Sequence, residues 1–172
     1  MREFNTFRPT LAASLLTLGV ALAAASLPAA AMGPGPAAPS APAKSSAYID
    51  GERAVNAKDY ARAVPLLERA VGENPKDADA NNLLGYSHRK LGNPQAAFMY
   101  YQRALQIEPN NRGANEYLGE LYVEMNDLPK AEAQLQKVTQ LCGTGCEEYR
   151  DLKAAIDKAK ASGGTPGPRT GT

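Results

Sequence analysis

Apolar and polar residues alternate at helical spacing through the middle of the chain, from Lys44 to Ala161. Apolar side chains recur three and four positions apart, and this spacing predicts amphipathic helices. Residues 78–107 predict two such helices, Ala78–Leu91 and Pro94–Ile107, joined by a short Gly-Asn turn. Because a helix with one apolar face must bury that face against another element, we predict an all-α fold.

Most of this middle segment consists of three copies of one unit. Residues 44–77, 78–111 and 112–145 align without gaps, which gives a period of 34 residues. A fixed period of this size predicts a solenoid, in which each helix pair buries its apolar face against the next pair. The residues that come into register are Gly51, Gly85 and Gly119, then Ala63, Ala97 and Ala131, then Leu67, Tyr101 and Leu135, and then Ala70, Ala104 and Val138.

The repeated unit resembles the tetratricopeptide repeat (TPR), whose pattern is Trp-x2-Leu-Gly-x2-Tyr, then Ala-x3-Phe, then Pro. In the middle unit, Asn81 replaces the opening aromatic residue of that pattern and His88 replaces its tyrosine. The resemblance implies an α-solenoid of three helix-turn-helix units, in which His88 is expected to be packed or half-buried. The middle unit follows the pattern at Leu84, Gly85, Ala97, Tyr101, Ala104 and Pro109.

Several residues fit the two helices of a unit to one another. Gly85 and Ala97 are small enough for the paired helices to approach closely. Asp59, Asn93 and Asp127 precede the second helices of the three units and are predicted to cap their N-termini. These residues strengthen the prediction of helix pairs.

The third unit ends differently from the other two. Where a terminal proline should fall, the chain reads Leu141-Cys-Gly-Thr-Gly-Cys146, and a further helix is predicted over residues 147–161. Terminal units of a solenoid need a polar outer face, so we predict that this seventh helix caps the array. Its predicted apolar stripe consists of Tyr149, Leu152, Ile156 and Ala159.

Residues 1–31 have the pattern of a secretory signal peptide. Arg2 and Arg8 precede an apolar run over residues 11–27, and three alanines then fit a cleavage site before Met32. An uncleaved membrane anchor is the alternative, but the run is short and rich in Ala, Ser and Thr. We therefore expect an exported protein of the bacterial periplasm that does not contact the membrane after cleavage.

Two low-complexity segments flank the helical part. Residues 32–43 and 162–172 are rich in Pro, Gly, Ala, Ser and Thr. Such segments contain too few apolar side chains to form a core, so we expect a disordered linker and a disordered tail. The folded domain is therefore expected over residues 44–161.

Composition argues against several classes of function. The chain has 19 Lys and Arg against 18 Asp and Glu, and this balance argues against a nucleic-acid-binding protein. A single histidine rules out a multi-histidine metal centre. The sequence contains no phosphate-binding glycine loop, metalloprotease motif or nucleophile elbow, so we expect neither an enzyme nor a bound cofactor.

The TPR resemblance also implies a binding surface. It implies that the first helix of each unit lines a concave groove that contacts a protein or peptide partner, and hence a non-enzymatic adaptor. A solvated helix face is the alternative, although tyrosine and arginine are frequent interface anchors. The groove is expected to have an acidic end and a basic middle. The implied contact positions are Tyr48, Glu52, Val55 and Asn56 in the first unit, Asn82, Tyr86, Arg89 and Lys90 in the second, and Glu116, Glu120, Val123 and Glu124 in the third.

Cys142 and Cys146 are the only cysteines. Two close cysteines usually pair in an oxidising compartment, so we expect a structural disulfide between the third unit and the last helix. The alternative is a redox pair or a soft-metal site, for example for Cu(I), although the C-x3-C spacing differs from the C-x-x-C of thiol oxidoreductases. Self-association is a further hypothesis, because TPR stacks can continue from one chain to the next.

Overall fold

The computed structural model describes residues 43–163, where all regular secondary structure is helical. The predicted signal peptide 1–31 and most of the linker 32–43 and tail 162–172 lie outside the described residues. No described helix is both long and apolar enough to cross a membrane. The helices are α1 (Ser46–Asn56), α2 (Tyr60–Glu73), α3 (Ala78–Lys90), α4 (Pro94–Ile107), α5 (Arg112–Glu124), α6 (Leu128–Cys142) and α7 (Glu147–Ala161).

Short polar residues fix the starts of most of these helices. The side chains of Asp59 and Asp127 each accept a hydrogen bond from the backbone N–H three residues on, which confirms both as N-caps. Asn93 precedes α4 but makes no such bond, so the prediction of a side-chain cap there is wrong. Pro94 favours the start of α4 instead, because its ring holds φ near the helical value and it has no N–H to satisfy.

The helices pack in pairs, α1 with α2, α3 with α4 and α5 with α6, and each pair packs on the next. The first helices also contact one another, α1 with α3 and α3 with α5, and α5 then contacts α7. Within the described part, the second helices α2, α4 and α6 make no such contacts with each other. Since the first helices lie closer together, the stack curves toward them. We call the surface of α1, α3, α5 and the start of α7 on that side the inner face.

Glycines allow the helices to approach closely. A Cβ atom built on Gly85 would lie 2.8 Å from the ring of Tyr101 in the same helix pair. In the third pair, a Cβ atom on Gly119 would lie 2.6 Å from Leu152 of α7, although the repeat alignment places Leu135 at the equivalent position. The last helix therefore packs directly against the glycine of the third pair.

The last helix is buried along one side. Leu152 and Ile156 are fully buried, and Tyr149 is half-buried against the same cluster, which confirms the predicted apolar stripe. On the polar side, Lys160 forms an ion pair with Glu132 of α6 at 2.5 Å. This arrangement gives the all-α solenoid a polar C-terminal end.

Candidate functional site

A row of tyrosines runs across the inner face and into the core beneath it. The ring centroid of Tyr86 in α3 lies 4.7 Å from that of Tyr117 in α5 and 5.8 Å from that of Tyr60 in α2. Tyr117 in turn lies 6.2 Å from Tyr101, which is fully buried. Aromatic pairs at these distances stabilise one another. Because Tyr86 and Tyr117 are only half-buried, each presents part of its ring to solvent.

Arg89 of α3 lies between these tyrosines and two glutamates of α5. Its guanidinium carbon is 5.5 Å from the ring centroid of Tyr86 and 5.7 Å from that of Tyr117. Its Nη1 donates to Glu124 at 2.8 Å, and its Nη2 donates to Glu120. Only 4% of its side chain is exposed. The basic middle expected for the groove is therefore largely neutralised, because the chain's own carboxylates pair with this arginine.

A cleft of about 210 Å³ opens between α5 and the start of α7. Glu116 lines the cleft, and only 6% of this residue is exposed. Its burial, together with the charges of Glu120, Asp151 and Glu148, raises the pKa of Glu116 to about 8 despite the opposing charge of Arg89. The lining residues are Gly113, Glu116, Tyr117, Glu147, Glu148 and Asp151.

Internal contacts occupy the N-terminal end of the inner face. Tyr48 is buried, and its hydroxyl donates to Glu52 at 3.2 Å. Lys44 lies 4.4 Å from the ring centroid of Tyr48 and pairs with Asp77 at 2.6 Å and Asp79 at 2.8 Å. Burial and the charge of Glu52 together raise the pKa of Tyr48, so this hydroxyl stays protonated at neutral pH.

The structure brings part of the expected groove set together. Tyr86, Arg89, Glu120 and Glu124 form one contact group at the centre, whereas Tyr48 and Glu52 bond to each other at the N-terminal end. The expected positions also differ in exposure. Tyr48, Asn82, Arg89 and Glu116 are buried, Val55, Tyr86, Glu120 and Val123 are half-buried, and Glu52, Asn56, Lys90 and Glu124 are exposed.

Sequence reasoning does not identify Tyr117 or the acidic residues of α7 as parts of this surface. A signal for them is present, because α7 follows the third pair in the position where another first helix would begin. Its first turns contain Glu147, Glu148 and Asp151, and a first helix contributes to the inner face. Interpreting α7 only as a cap hides this contribution.

Cys142 at the end of α6 and Cys146 just before α7 form a disulfide, as expected. Both are half-buried and pack against the cluster that contains Val138 and Leu152. The two sulfur atoms and a carboxylate oxygen of Glu148 lie within 4.8 Å of one another. Because thiolates rather than disulfide sulfurs bind soft metals, a metal site here requires reduction of the bond.

The single histidine lies apart from these groups. His88 is half-buried, and its ring stacks on that of Tyr100 with a centroid distance of 5.5 Å. Burial lowers the pKa of His88, which favours the neutral imidazole at pH 7. The expectation of a packed, half-buried histidine is confirmed.

Two family models described as tetratricopeptide repeat match the chain, one over residues 51–112 and the other over residues 88–156. The chain belongs to the tetratricopeptide repeat family. The protein ycf37 of Pyropia yezoensis is 36% identical over 97 residues, which cover 56% of this TPR chain and 51% of that protein. The PEX5-related protein of Mus musculus is 32% identical over 65 residues, which cover 38% of this chain and 12% of that protein. The chain thus spans about half of the first relative and a small part of the second.

Solved TPR structures share the fold. The TPR2B domain of yeast Sti1 in complex with pHsp70 matches with a TM-score of 0.60 and 17% identity, covering 67% of this chain and 94% of that chain. The first TPR of Spaghetti (RPAP3), bound to the HSP90 peptide SRMEEVD, matches with a TM-score of 0.60 and 16% identity, covering 67% and 90%. The type III secretion translocator chaperone SycD of Yersinia enterocolitica matches with a TM-score of 0.61 and 14% identity, covering 69% of this chain and 84% of that chain. At these identities the similarity establishes the solenoid fold.

Proposed function

We propose that the protein is a non-enzymatic adaptor that holds a segment of a partner protein against its inner face. The main observation is that Tyr86 and Tyr117 expose ring surface at the centre of that face. The charged side chains of Lys90 and Glu124 are exposed nearby. Tyrosine buries a large apolar area on binding and keeps a polar hydroxyl, which makes it a frequent interface anchor.

Two solved structures of the same fold include a bound partner or peptide, which supports a role in binding a protein segment. The peptide bound to RPAP3 contains three acidic residues in SRMEEVD. On the inner face of the present chain, Arg89 already donates to Glu120 and Glu124, and the cleft beside it contains Glu147 and Asp151 without an ion-pair partner among the described residues, so an acidic peptide would meet charges of its own sign. We therefore expect a partner segment without net negative charge.

The proposed location of this adaptor is the bacterial periplasm. The signal-peptide pattern of residues 1–31 supports export. The disulfide between Cys142 and Cys146 supports an oxidising compartment, because such bonds are rare in cytosolic proteins.

The adaptor proposal can be tested by affinity capture with the full chain from its native cell envelope. Tyr86→Ala removes the central ring, and Met99→Ala is the matched control because Met99 is 62% exposed on the second helix α4. We expect Met99→Ala to retain the proteins that bind the unaltered chain and Tyr86→Ala to lose them. Circular dichroism melting verifies that both variants are folded.

A second inner-face variant keeps the test informative if Tyr86→Ala does not fold. Lys90 is exposed and its Nζ lies 5.2 Å from the ring centroid of Tyr86, so Lys90→Glu reverses the charge beside that ring without removing a buried side chain. The adaptor proposal predicts a changed capture yield for this variant, because the partner segment contacts the same part of the face. If both folded inner-face variants retain their partners at full yield, the assignment of the inner face as the binding surface is wrong.

A further inference from the structure

The cleft between α5 and α7 contains more negative charge than its neighbours neutralise. Four of its lining side chains are carboxylates. Glu148 has an ion-pair partner, Arg112, whose Nε lies 3.3 Å from the carboxylate. The other three, Glu116, Glu147 and Asp151, have no ion-pair partner among the described residues. The cleft therefore attracts positive charge.

Glu116 is buried and lines this cleft, yet its carboxylate makes no hydrogen bond or ion pair within residues 43–163. The positive charge of Arg89 acts on Glu116, but the terminal nitrogens of Arg89 already donate to Glu120 and Glu124. Burying an ionised carboxylate without a partner is unfavourable, so Glu116, whose pKa is about 8, is mostly protonated at pH 7 in the absence of a ligand. A cation that entered the cleft would favour the ionised carboxylate, so Glu116 would release its proton as the cation binds.

We propose that this cleft receives the cationic side chain of a lysine or arginine from the partner segment. The inference rests on the proposed adaptor function, because it assigns the chemistry of the partner to the same inner face. Glu116 pairs with the ammonium or guanidinium group, and Glu147 and Asp151 add negative charge beside it. Tyr117 supplies an aromatic ring in the cleft wall, and aromatic rings attract cations.

The spacing of the carboxylates favours an organic cation over a metal ion. A metal ion needs several ligand atoms that converge on one point. Among the described residues, the one group of three ligand atoms within 4.8 Å of one another is Cys142, Cys146 and Glu148, which is not the cleft set. The volume of about 210 Å³ is also below the usual range for small-molecule sites, and it suits one side chain.

The position of the cleft fits a partner segment that lies on the tyrosines. Tyr117 lines the cleft and is 4.7 Å from Tyr86, measured between ring centroids. A segment that packs on Tyr86 therefore passes next to the cleft opening. One basic side chain of that segment can then enter it.

The test is a two-dimensional amide NMR titration of the purified protein at pH 7. The probes are Nα-acetyl-lysine methylamide and Nα-acetyl-arginine methylamide, with the norleucine analogue as the uncharged control. We expect saturable shifts at Gly113, Tyr117 and Asp151 with at least one cationic probe and none with norleucine. Comparison of the two cationic probes identifies the preferred side chain.

Variants assign the effect to the buried carboxylate. Glu116→Gln keeps the shape of the side chain and should weaken binding of the cationic probe roughly tenfold, which corresponds to about 1.4 kcal/mol. Asp151→Asn alters an exposed residue of the cleft and should weaken binding of the cationic probe less than Glu116→Gln does. Because Asp151 is exposed, this variant can be tested even if Glu116→Gln is unstable. Glu68→Gln, an exposed change on α2, is the matched control and should have no effect.

Several outcomes would overturn the proposal. Equal shifts with norleucine, unchanged affinity in both cleft variants, or displacement of the probe by Ca²⁺ at equal concentration would each exclude a lysine or arginine pocket. Failure of the cleft assignment can be distinguished from failure of the proposed adaptor function. If Tyr86→Ala loses its partners while the cleft binds no cationic probe, the adaptor stands and the cleft assignment fails.

Discussion

At the scale of single residues, the inner face contains two buried ionisable side chains, of which one is paired and the other is not. Arg89 has two carboxylate partners, Glu120 and Glu124, and two aromatic neighbours. Glu116 has no hydrogen-bond or ion-pair partner among the described residues and lines an open cleft. A buried charge with partners stabilises one arrangement, whereas a buried carboxyl group without a partner stays protonated until the pH rises or a cation binds. We therefore propose a structural role for Arg89 and a binding role for Glu116.

Glu116→Gln should stabilise the free protein, and the gain should increase with pH. The pKa of Glu116 is about 8 in the folded chain against an ordinary value of 4.5, so the folded state binds the proton more tightly. Stability from this group is therefore present below pH 4.5 and is lost as pH rises toward 8. After allowance for solvent screening, we expect a gain of about 1–2 kcal/mol at pH 8.5 and a smaller gain at pH 5.

Urea denaturation of the unaltered chain, Glu116→Gln and the exposed control Glu68→Gln at both pH values measures this difference. The groups that face Glu116 are charged or titratable themselves, so the free energy of unfolding changes with pH for reasons other than Glu116. The control variant measures that background change. A gain that does not change between pH 5 and 8.5 would contradict the assignment. These neighbours are Arg89 on α3, Glu120 on α5, and Glu148 and Asp151 on α7.

Arg89→Ala should destabilise the fold. The change leaves Glu120 and Glu124 next to each other without their shared cation, and it removes a side chain that packs between Tyr86 and Tyr117. Because one member of this network is largely exposed, we expect a loss of about 2–3 kcal/mol, near the lower end for a broken buried ion pair. An unchanged denaturation midpoint would show that the pair contributes little.

The sequence predicts which helices line the inner face, but it does not predict which of their side chains are buried or paired. The resemblance implies that Arg89, Glu116 and Glu120 share that face, and the structure places all three there. The pairing of Arg89 with residues 31 and 35 positions away depends on how α3 packs on α5, which the repeat pattern does not specify. For the same reason, Tyr117 was not recognised.

At the scale of helices, close approach at glycine determines how α3 packs on α4. A Cβ atom at Gly85 would lie 2.8 Å from the ring of Tyr101 and 3.2 Å from a backbone oxygen of Ala97. At Gly72, in contrast, no heavy atom of the described residues beyond its own helix backbone and chain neighbours lies within 4 Å of such a Cβ. The two glycines therefore serve as a matched pair.

Gly85→Ala should lower the free energy of unfolding by about 1–3 kcal/mol, the usual range for an overpacked core. Gly72→Ala should raise it by about 0.5–1 kcal/mol, because alanine restricts the unfolded chain and favours helix. Thermal and urea unfolding of both variants measure the contrast. Equal effects of the two changes would mean that the close contact at Gly85 is not important for stability.

The disulfide belongs to the same scale, because it connects the end of α6 to the start of α7. Replacing Cys142 and Cys146 together by serine should cost about 1–2 kcal/mol by the loop-closure argument for a short loop. We expect capture of the partner to persist, since the sulfur atoms are not among the inner-face residues that the proposal assigns to binding. Loss of function without a change in melting temperature would instead support the redox or soft-metal alternative.

At the scale of the whole molecule, the sequence was sufficient to predict the array and insufficient to predict its C-terminal surface. The 34-residue register of Gly85, Ala97 and Tyr101 is a local pattern, so it predicts the helices and their pairing. The packing of Leu152 against Gly119 joins α5, which belongs to that register, to α7, which lies outside it. The acidic cleft forms only because α7 packs there, and a repeat alignment that ends at residue 145 does not include it.

The arrangement of the whole array also explains why we propose binding at the inner face. The first helices contact one another and the second helices do not, so exposed rings and charges on α3 and α5 converge while those on α2 and α4 diverge. Converging side chains can contact one extended segment together. We therefore expect a partner segment to bind the inner face rather than the outer side.

Site-specific photocrosslinking in the native cells shows which face of the array contacts a partner. The photoreactive residue benzoylphenylalanine is placed at Lys90 on the inner face and, as a control, at Met99 on α4, since both positions are exposed. We predict a discrete crosslinked partner from position 90 and none from position 99. The same partner from position 99, or no product from position 90 while position 99 crosslinks, would contradict the account.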